Sequence, residues 1–164
     1  MNTAKTSETQ PLIVRTQEVV GFSQGLGEAR ILIDGAKSQN EWWLGHFEEL
    51  PGFMTTLHFH HDMDESVYVL DGILSIFVGG QWKDLSPGTF ALLPKGIPHA
   101  QGNTSSSPVR FLGSGKPAGF ERLFPELDQL AKRVPADSPE FGKEAARLLS
   151  QHATTIIGPP PRRH

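Results

Sequence analysis

Four side chains in the middle of the chain have the types and spacing to hold a metal ion. His58 and His60 are separated by one residue, Glu65 follows after four more, and His99 comes from a separate segment downstream. In a β-strand, side chains i and i+2 share a face, so His58 and His60 look one way and Phe59 the other. Glu65 stands after the polar turn His61-Asp62-Met63-Asp64, at the start of a strand-like run over residues 66–70. An antiparallel return there brings its carboxylate beside the two imidazoles. His99 follows a loop in which Pro94 and Pro98 bracket Gly96 and stiffen the approach. Three imidazoles and one carboxylate suit one borderline divalent transition metal ion, Fe, Mn, Co, Ni, Cu or Zn, and leave positions open on an octahedral ion. Singly, each residue has a plainer reading, since a strand histidine is commonly hydrogen-bonded and a glutamate after a turn is commonly solvated. Together, at these spacings, they read as a metal site.

The elements that must position these residues are short. Alternating or apolar runs occur at residues 12–15, 29–34, 42–49, 55–60, 66–70, 74–78, 89–93, 99–103 and 109–113, separated by clusters of Gly, Pro, Asn and Ser. That pattern predicts an all-β sandwich or barrel. Asp71-Gly72 and Gly79-Gly80 are hairpin dipeptides. From Gly119 the period changes: Phe120, Leu123, Phe124, Leu127, Leu130 and Ala131 recur at helical spacing, with Pro125 as a restart or kink. A second helix is expected over 138–152, with Ser138 as N-cap, Pro139 in the first position, and Phe141, Ala145, Leu148 and Leu149 facing inward. The expected layout is a disordered tail over 1–10, a barrel over 11–116, C-terminal helices packing on it over 117–158, and an extended tail over 159–164.

Composition narrows the function. A chain of 164 residues with 37% hydrophobic residues is one domain with a sizeable core. The formal net charge of −3 argues against nucleic acid or an anionic membrane as partner, and no apolar run is long enough to span a bilayer. The first ten residues lack the apolar stretch of a signal peptide, so a cytoplasmic location is expected. Cysteine is absent, which excludes disulfides and thiolate ligands.

Two motifs carry a family resemblance. The first is Gly52-x5-His58-x-His60-x4-Glu65-x6-Gly72, and the second is Gly88-x5-Pro94-x-Gly96-x2-His99-x3-Asn103. Together they resemble the paired motifs of the cupin superfamily. The resemblance implies a double-stranded β-helix or jelly-roll barrel holding one metal on His58, His60, Glu65 and His99. It covers roughly residues 40 to 115, and the spacer of fifteen residues from Ile73 to Pro87 is short for the family. The segment Gly-Phe-Glu-Arg-Leu-Phe at 119–124 and the exit Ile-Ile-Gly-Pro-Pro at 156–160 resemble, more weakly, a subgroup labelled quercetin 2,3-dioxygenase-like. That subgroup implies a metal-dependent dioxygenase with dioxygen as cosubstrate, opening a flavonol-like, aromatic or enolic small molecule with loss of carbon monoxide. Glu65 would then be both ligand and general base, and the three histidines ligands only.

For the substrate pocket, strand parity puts Thr56 with His58 and His60, and Val67 and Val69 with Glu65. Trp42, Trp43, Phe47, Phe53, Met54 and Phe90 are aromatic or soft side chains near the motifs, and His46 is a candidate second acid-base group. Other readings stay open: a dioxygenase for a different substrate, a non-redox isomerase, lyase or decarboxylase, or a small-molecule-binding protein without turnover. A homodimer is expected, with residues 12–15 pairing across a sheet edge.

Overall fold

Alternation decides the inner face of the strands in the computed structural model, which describes residues 11–163. The strands are β1 (Gly21–Ser23), β2 (Gly27–Ile33), β3 (Trp43–Glu49), β4 (Leu57–His60), β5 (Asp64–Asp71), β6 (Leu74–Val78), β7 (Gln81–Leu85), β8 (Phe90–Leu93), β9 (His99–Gly102), β10 (Val109–Lys116) and β11 (Thr154–Gly158). In β3, Trp43, Gly45, Phe47 and Glu49 are buried and the residues between them are not. All pairings are antiparallel, in two sheets ordered β1-β2-β3-β10-β5-β8 and β11-β4-β9-β6-β7. The two sheets make a jelly roll, and the core between them is built from Val67, Val69, Leu74, Ile76, Leu93, Val109 and Phe111.

Turn chemistry sets the registers. Gly72 has φ +76°, and a side chain there would run into the backbone of Pro108 and Val109. Gly96 has φ +78° in the turn before His99, and its N–H donates to the His60 carbonyl at 2.8 Å. That bond ties the loop delivering one imidazole to the strand carrying two others. Asn103, fully buried, donates through Nδ2 to the carbonyls of Glu49 and Ser107 and so pins the end of β3 to the following turn.

The helical part begins with a 3₁₀ turn at Phe120–Arg122 and continues as α1 (Leu123–Ala131) and α2 (Pro139–Ser150). Pro125 falls in the first turn of α1, where a missing N–H costs no helical bond. Ser138 caps α2, its Oγ accepting from the Phe141 N–H at 3.1 Å. α1 buries Leu123, Phe124, Leu127 and Leu130, whereas α2 fully buries only Phe141. Phe124 packs edge-on to Trp43 and Phe47, with centroids 5.8 and 5.3 Å apart, which fastens α1 to the barrel.

Four elements differ from expectation, the first being β1, a short strand at Gly21–Ser23 where none was expected. Residues 12–15 form no strand, because they have no ladder partner among the described residues. β7 is a largely exposed edge strand, so its sequence needs no apolar alternation. Residues 154–158, expected in the helical part, are β11, which pairs with β4. The expected disordered tail over 1–10 lies outside the described residues.

Candidate metal centre

Cross-strand register assembles the four motif residues. β4 places His58 and His60 two residues apart on its inner face, and His58 is the register partner of His99 on β9. The ring centroids of His58 and His99 are 4.5 Å apart, those of His58 and His60 5.0 Å. Glu65 reaches in from β5, with Oε2 at 3.1 Å from Nε2 of both His60 and His99. One ligand atom from each of the four lies within 4.8 Å of the others, and the three histidines are buried.

Each imidazole is held from behind through Nδ1. His58 donates to the Thr56 carbonyl at 2.8 Å and His99 to the Ile97 carbonyl at 2.8 Å. His60 contacts Thr154 Oγ1 at 2.9 Å, and that hydroxyl donates onward to the His152 carbonyl at 2.9 Å. With Nδ1 directed at an acceptor in all three rings, the Nε2 atoms and the carboxylate converge on one point. Such a point must be filled by a shared proton or by a cation, and this donor set fits a divalent transition metal.

The electrostatics follow from burial and from Glu65. Burial pushes the His58 pKa down to about 4, and the nearby His99 adds to this. For Glu65, burial works to raise the pKa, but hydrogen bonds to His60 and His99 outweigh it and hold the carboxyl well below its ordinary range. His99 is raised, because Glu65 outweighs the effect of burial.

Beside the centre lies a cavity of about 480 Å³ between the barrel and the two helices. His58 and Glu65 form its polar end, and Trp43, Phe47, Phe53, Phe111, Phe120 and Phe124 are among its walls. Of the side chains expected in a pocket, Thr56, Phe47, Phe53, Trp43 and Met54 line this cavity. Val67 and Val69 face inward from β5, as parity requires, but are fully packed in the core and are not among the lining residues. His46 is not in the cavity: it is next to inward-facing Phe47 on β3, so it points to the outer face among Glu48, Arg110, Arg30 and Glu28. Phe90 is also outside, 61% exposed on β8, the strand at the end of its sheet. Trp42 is likewise an exposed residue.

Sequence reasoning missed four residues here. Thr154 comes from β11 and supports His60; Phe120 packs edge-on to the His60 ring at 4.7 Å. Gln101 lines the cavity from β9, and Glu49 is buried behind it, accepting from Gln101 Nε2 at 2.9 Å. Parity with His99 is the only signal that would have found Gln101, and parity with Phe47 the only one for Glu49.

Comparison with known proteins agrees with this architecture. Residues 45–114 match the cupin domain family. No curated protein matches the chain. Among solved structures, a predicted oxalate decarboxylase from Thermotoga maritima is 20% identical, with a TM-score of 0.60 over 64% of this chain and 98% of its own. KdgF from a Halomonas species is 16% identical, with a TM-score of 0.60 over 69% and 99%. The polyketide cyclase RemF from Streptomyces resistomycificus is 23% identical, with a TM-score of 0.59 over 80% and 96%. At these identities the likeness is one of fold. Residues 45–114 thus form a cupin domain, and the chain around it has the two-sheet jelly-roll fold of cupins with the motif residues clustered inside it.

Proposed function

We propose that this protein is a metal-dependent dioxygenase for a flat hydroxylated aromatic or enolic molecule, of the flavonol ring-opening type. The observation that carries the reading is the aromatic-walled cavity of about 480 Å³ that ends on His58 and Glu65. Its volume is that of a site for a drug-sized ligand, and its walls suit stacking on a planar ring system. His58, His60, Glu65 and His99 would hold one divalent transition metal. Such an ion supplies Lewis acidity toward a hydroxyl oxygen and, if redox-active, electron transfer with dioxygen.

The chain's own residues supply the rest. Glu65 lines the cavity and is a carboxylate at neutral pH, so it presents a lone pair to a ligand hydroxyl and serves as general base. Phe120 covers His60 and, with α1 and α2, walls the cavity on the helical side. The reading includes a homodimer; the apolar segment 12–14 is exposed, Ile13 to 95%, and is available to a second copy. Light scattering tests that part. No described helix is long and apolar enough to cross a membrane.

The test is aerobic turnover of quercetin by protein reconstituted separately with Fe, Mn, Co and Ni. Carbon monoxide release at a metal-dependent rate is the expected result. No consumption by protein shown to hold one ion per chain would remove the flavonol reading. Turnover without oxygen uptake would replace it with isomerase, lyase or decarboxylase chemistry at the same centre.

A further inference from the structure

The polar groups of the cavity are distributed in a way the metal centre does not use. Gln101 follows His99 by two residues on β9, so the two side chains share a face and start about 7 Å apart along the strand. Its backbone is fixed on both sides, N–H to Thr55 Oγ1 at 2.9 Å and carbonyl from the Thr55 N–H at 2.9 Å. Its amide Nε2 donates to Glu49 Oε1 at 2.9 Å. Its Oε1 accepts nothing among the described residues, and it is not among the buried unpartnered atoms, although Gln101 lines the cavity.

Glu49 is a buried carboxyl with a single side-chain partner. It is 1% exposed, its Oε2 is unpartnered among the described residues, and its backbone is pinned by Asn103. Burial pushes its pKa up to about 8; the Gln101 hydrogen bond opposes this and the charge of Glu65 adds to it. At neutral pH Glu49 is therefore mostly the neutral acid, and its Oε1 acts as a fixed acceptor. Two more unpartnered buried atoms, Gln24 Nε2 and Thr56 Oγ1, belong to side chains lining the same cavity. Buried polar groups are normally satisfied, so a concentration of unsatisfied ones around one cavity marks where a polar ligand edge belongs.

We infer that Gln101 is a specificity-determining residue of the cavity and that Glu49 positions it. By engaging Nε2, Glu49 leaves the amide carbonyl Oε1 as the free polar atom of a cavity-lining side chain, so the site selects a molecule that carries a hydroxyl away from the one seated at the metal centre. A two-ring polyphenol meets this requirement, and a monohydroxylated analogue does not. The inference rests on the cavity being the ligand site of the proposed function.

Its test is binding, read by quenching of tryptophan fluorescence and by calorimetry, of quercetin and of 3-hydroxyflavone, which lacks the distal hydroxyls. Both metal-free and metal-loaded protein are titrated. Wild-type protein is expected to prefer quercetin by about five- to tenfold, one hydrogen bond's worth. Gln101→Leu should abolish the preference while 3-hydroxyflavone binding stays within twofold. Glu49→Leu should reduce the preference through loss of the amide anchor, and Glu49→Gln, which keeps a carbonyl acceptor, should restore it. A merely structural role for Glu49 would change both affinities together. Equal affinities in the wild type, or a preference that survives Gln101→Leu, would overturn this inference and leave the metal-dependent reading standing. Binding of neither flavonol would overturn both.

Discussion

Replacing Thr154 by Val tests whether the centre depends on a strand far away in sequence. Thr154 is 4% exposed and is the register partner of His60, with its hydroxyl between His60 Nδ1 and the His152 carbonyl at 2.9 Å on each side. Valine nearly preserves the shape, so the change removes one acceptor and one donor with little cavity cost. The His60 N–H is left buried without a partner, at about 1–3 kcal/mol. The His152 carbonyl belongs to a half-buried residue and loses less. We expect the metal-free protein to lose roughly 2–3 kcal/mol, measured by urea unfolding. Metal affinity should fall ten- to a hundredfold, because an unanchored imidazole is free to rotate and is less basic. The assay is competition for Zn or Co against a chromophoric chelator, with Thr154→Ser, which keeps the hydroxyl, as control. Were Thr154→Val to bind metal as tightly as both wild type and the Ser variant, the support assigned to β11 would be wrong.

Further outcomes follow from the same geometry. Glu65→Gln should retain much of the metal while losing most turnover of quercetin; equal loss of both would refute the double role of Glu65. Glu49, with its pKa raised from 4.5 to about 8, keeps its proton in the folded chain after the unfolded chain has released it. Its contribution to stability is therefore full below pH 4.5 and is lost as pH rises through 8, roughly 3–5 kcal/mol at 1.36 kcal/mol per pH unit. Urea unfolding at pH 5, 6.5 and 8 should show the wild type losing stability relative to Glu49→Gln as pH rises, and parallel curves would contradict this. His58 acts with the opposite sign: its pKa of about 4 lets only the unfolded chain take up the proton between pH 6.5 and 4, so acidification destabilises. A His58→Asn variant should unfold with a shallower acid limb than the wild type when both are metal-free. Phe124→Ala, at a buried ring joining α1 to Trp43 and Phe47, should cost about 3–5 kcal/mol by thermal or denaturant unfolding, and a loss under 1 kcal/mol would mean the helix is not held there.

How far the sequence could be read depends on how local each determinant is. His58 and His60 obey a two-residue parity, and Glu65 and His99 sit within stretches framed by glycines and prolines whose turns are local, so the cluster could be assembled on paper. The Ser138 cap with Pro139 is equally local and marks the start of α2. On β3 the same parity admits Phe47 to the pocket and excludes His46, because neighbours on a strand face opposite ways. Phe90 could not be placed by parity because the run Phe90-Ala-Leu-Leu93 is apolar on both faces, and only the sheet order shows that its outer face is uncovered. β11 was hidden because Thr154-Thr-Ile-Ile-Gly158 follows two helices and finds its partner 94 residues earlier. Glu49 was hidden because a glutamate pair at a strand end looks solvated, and its burial arises only where β2, β3 and β10 meet.

β11 also has a consequence for the order of events during synthesis. Until residues 154–158 leave the ribosome, β4 has a neighbour on one side only, and the strand carrying two imidazoles is an open edge able to pair with another chain. The hydroxyl that fixes His60 is likewise missing for that interval. The four-residue cluster and its support are therefore complete only once the last described strand has closed the sheet.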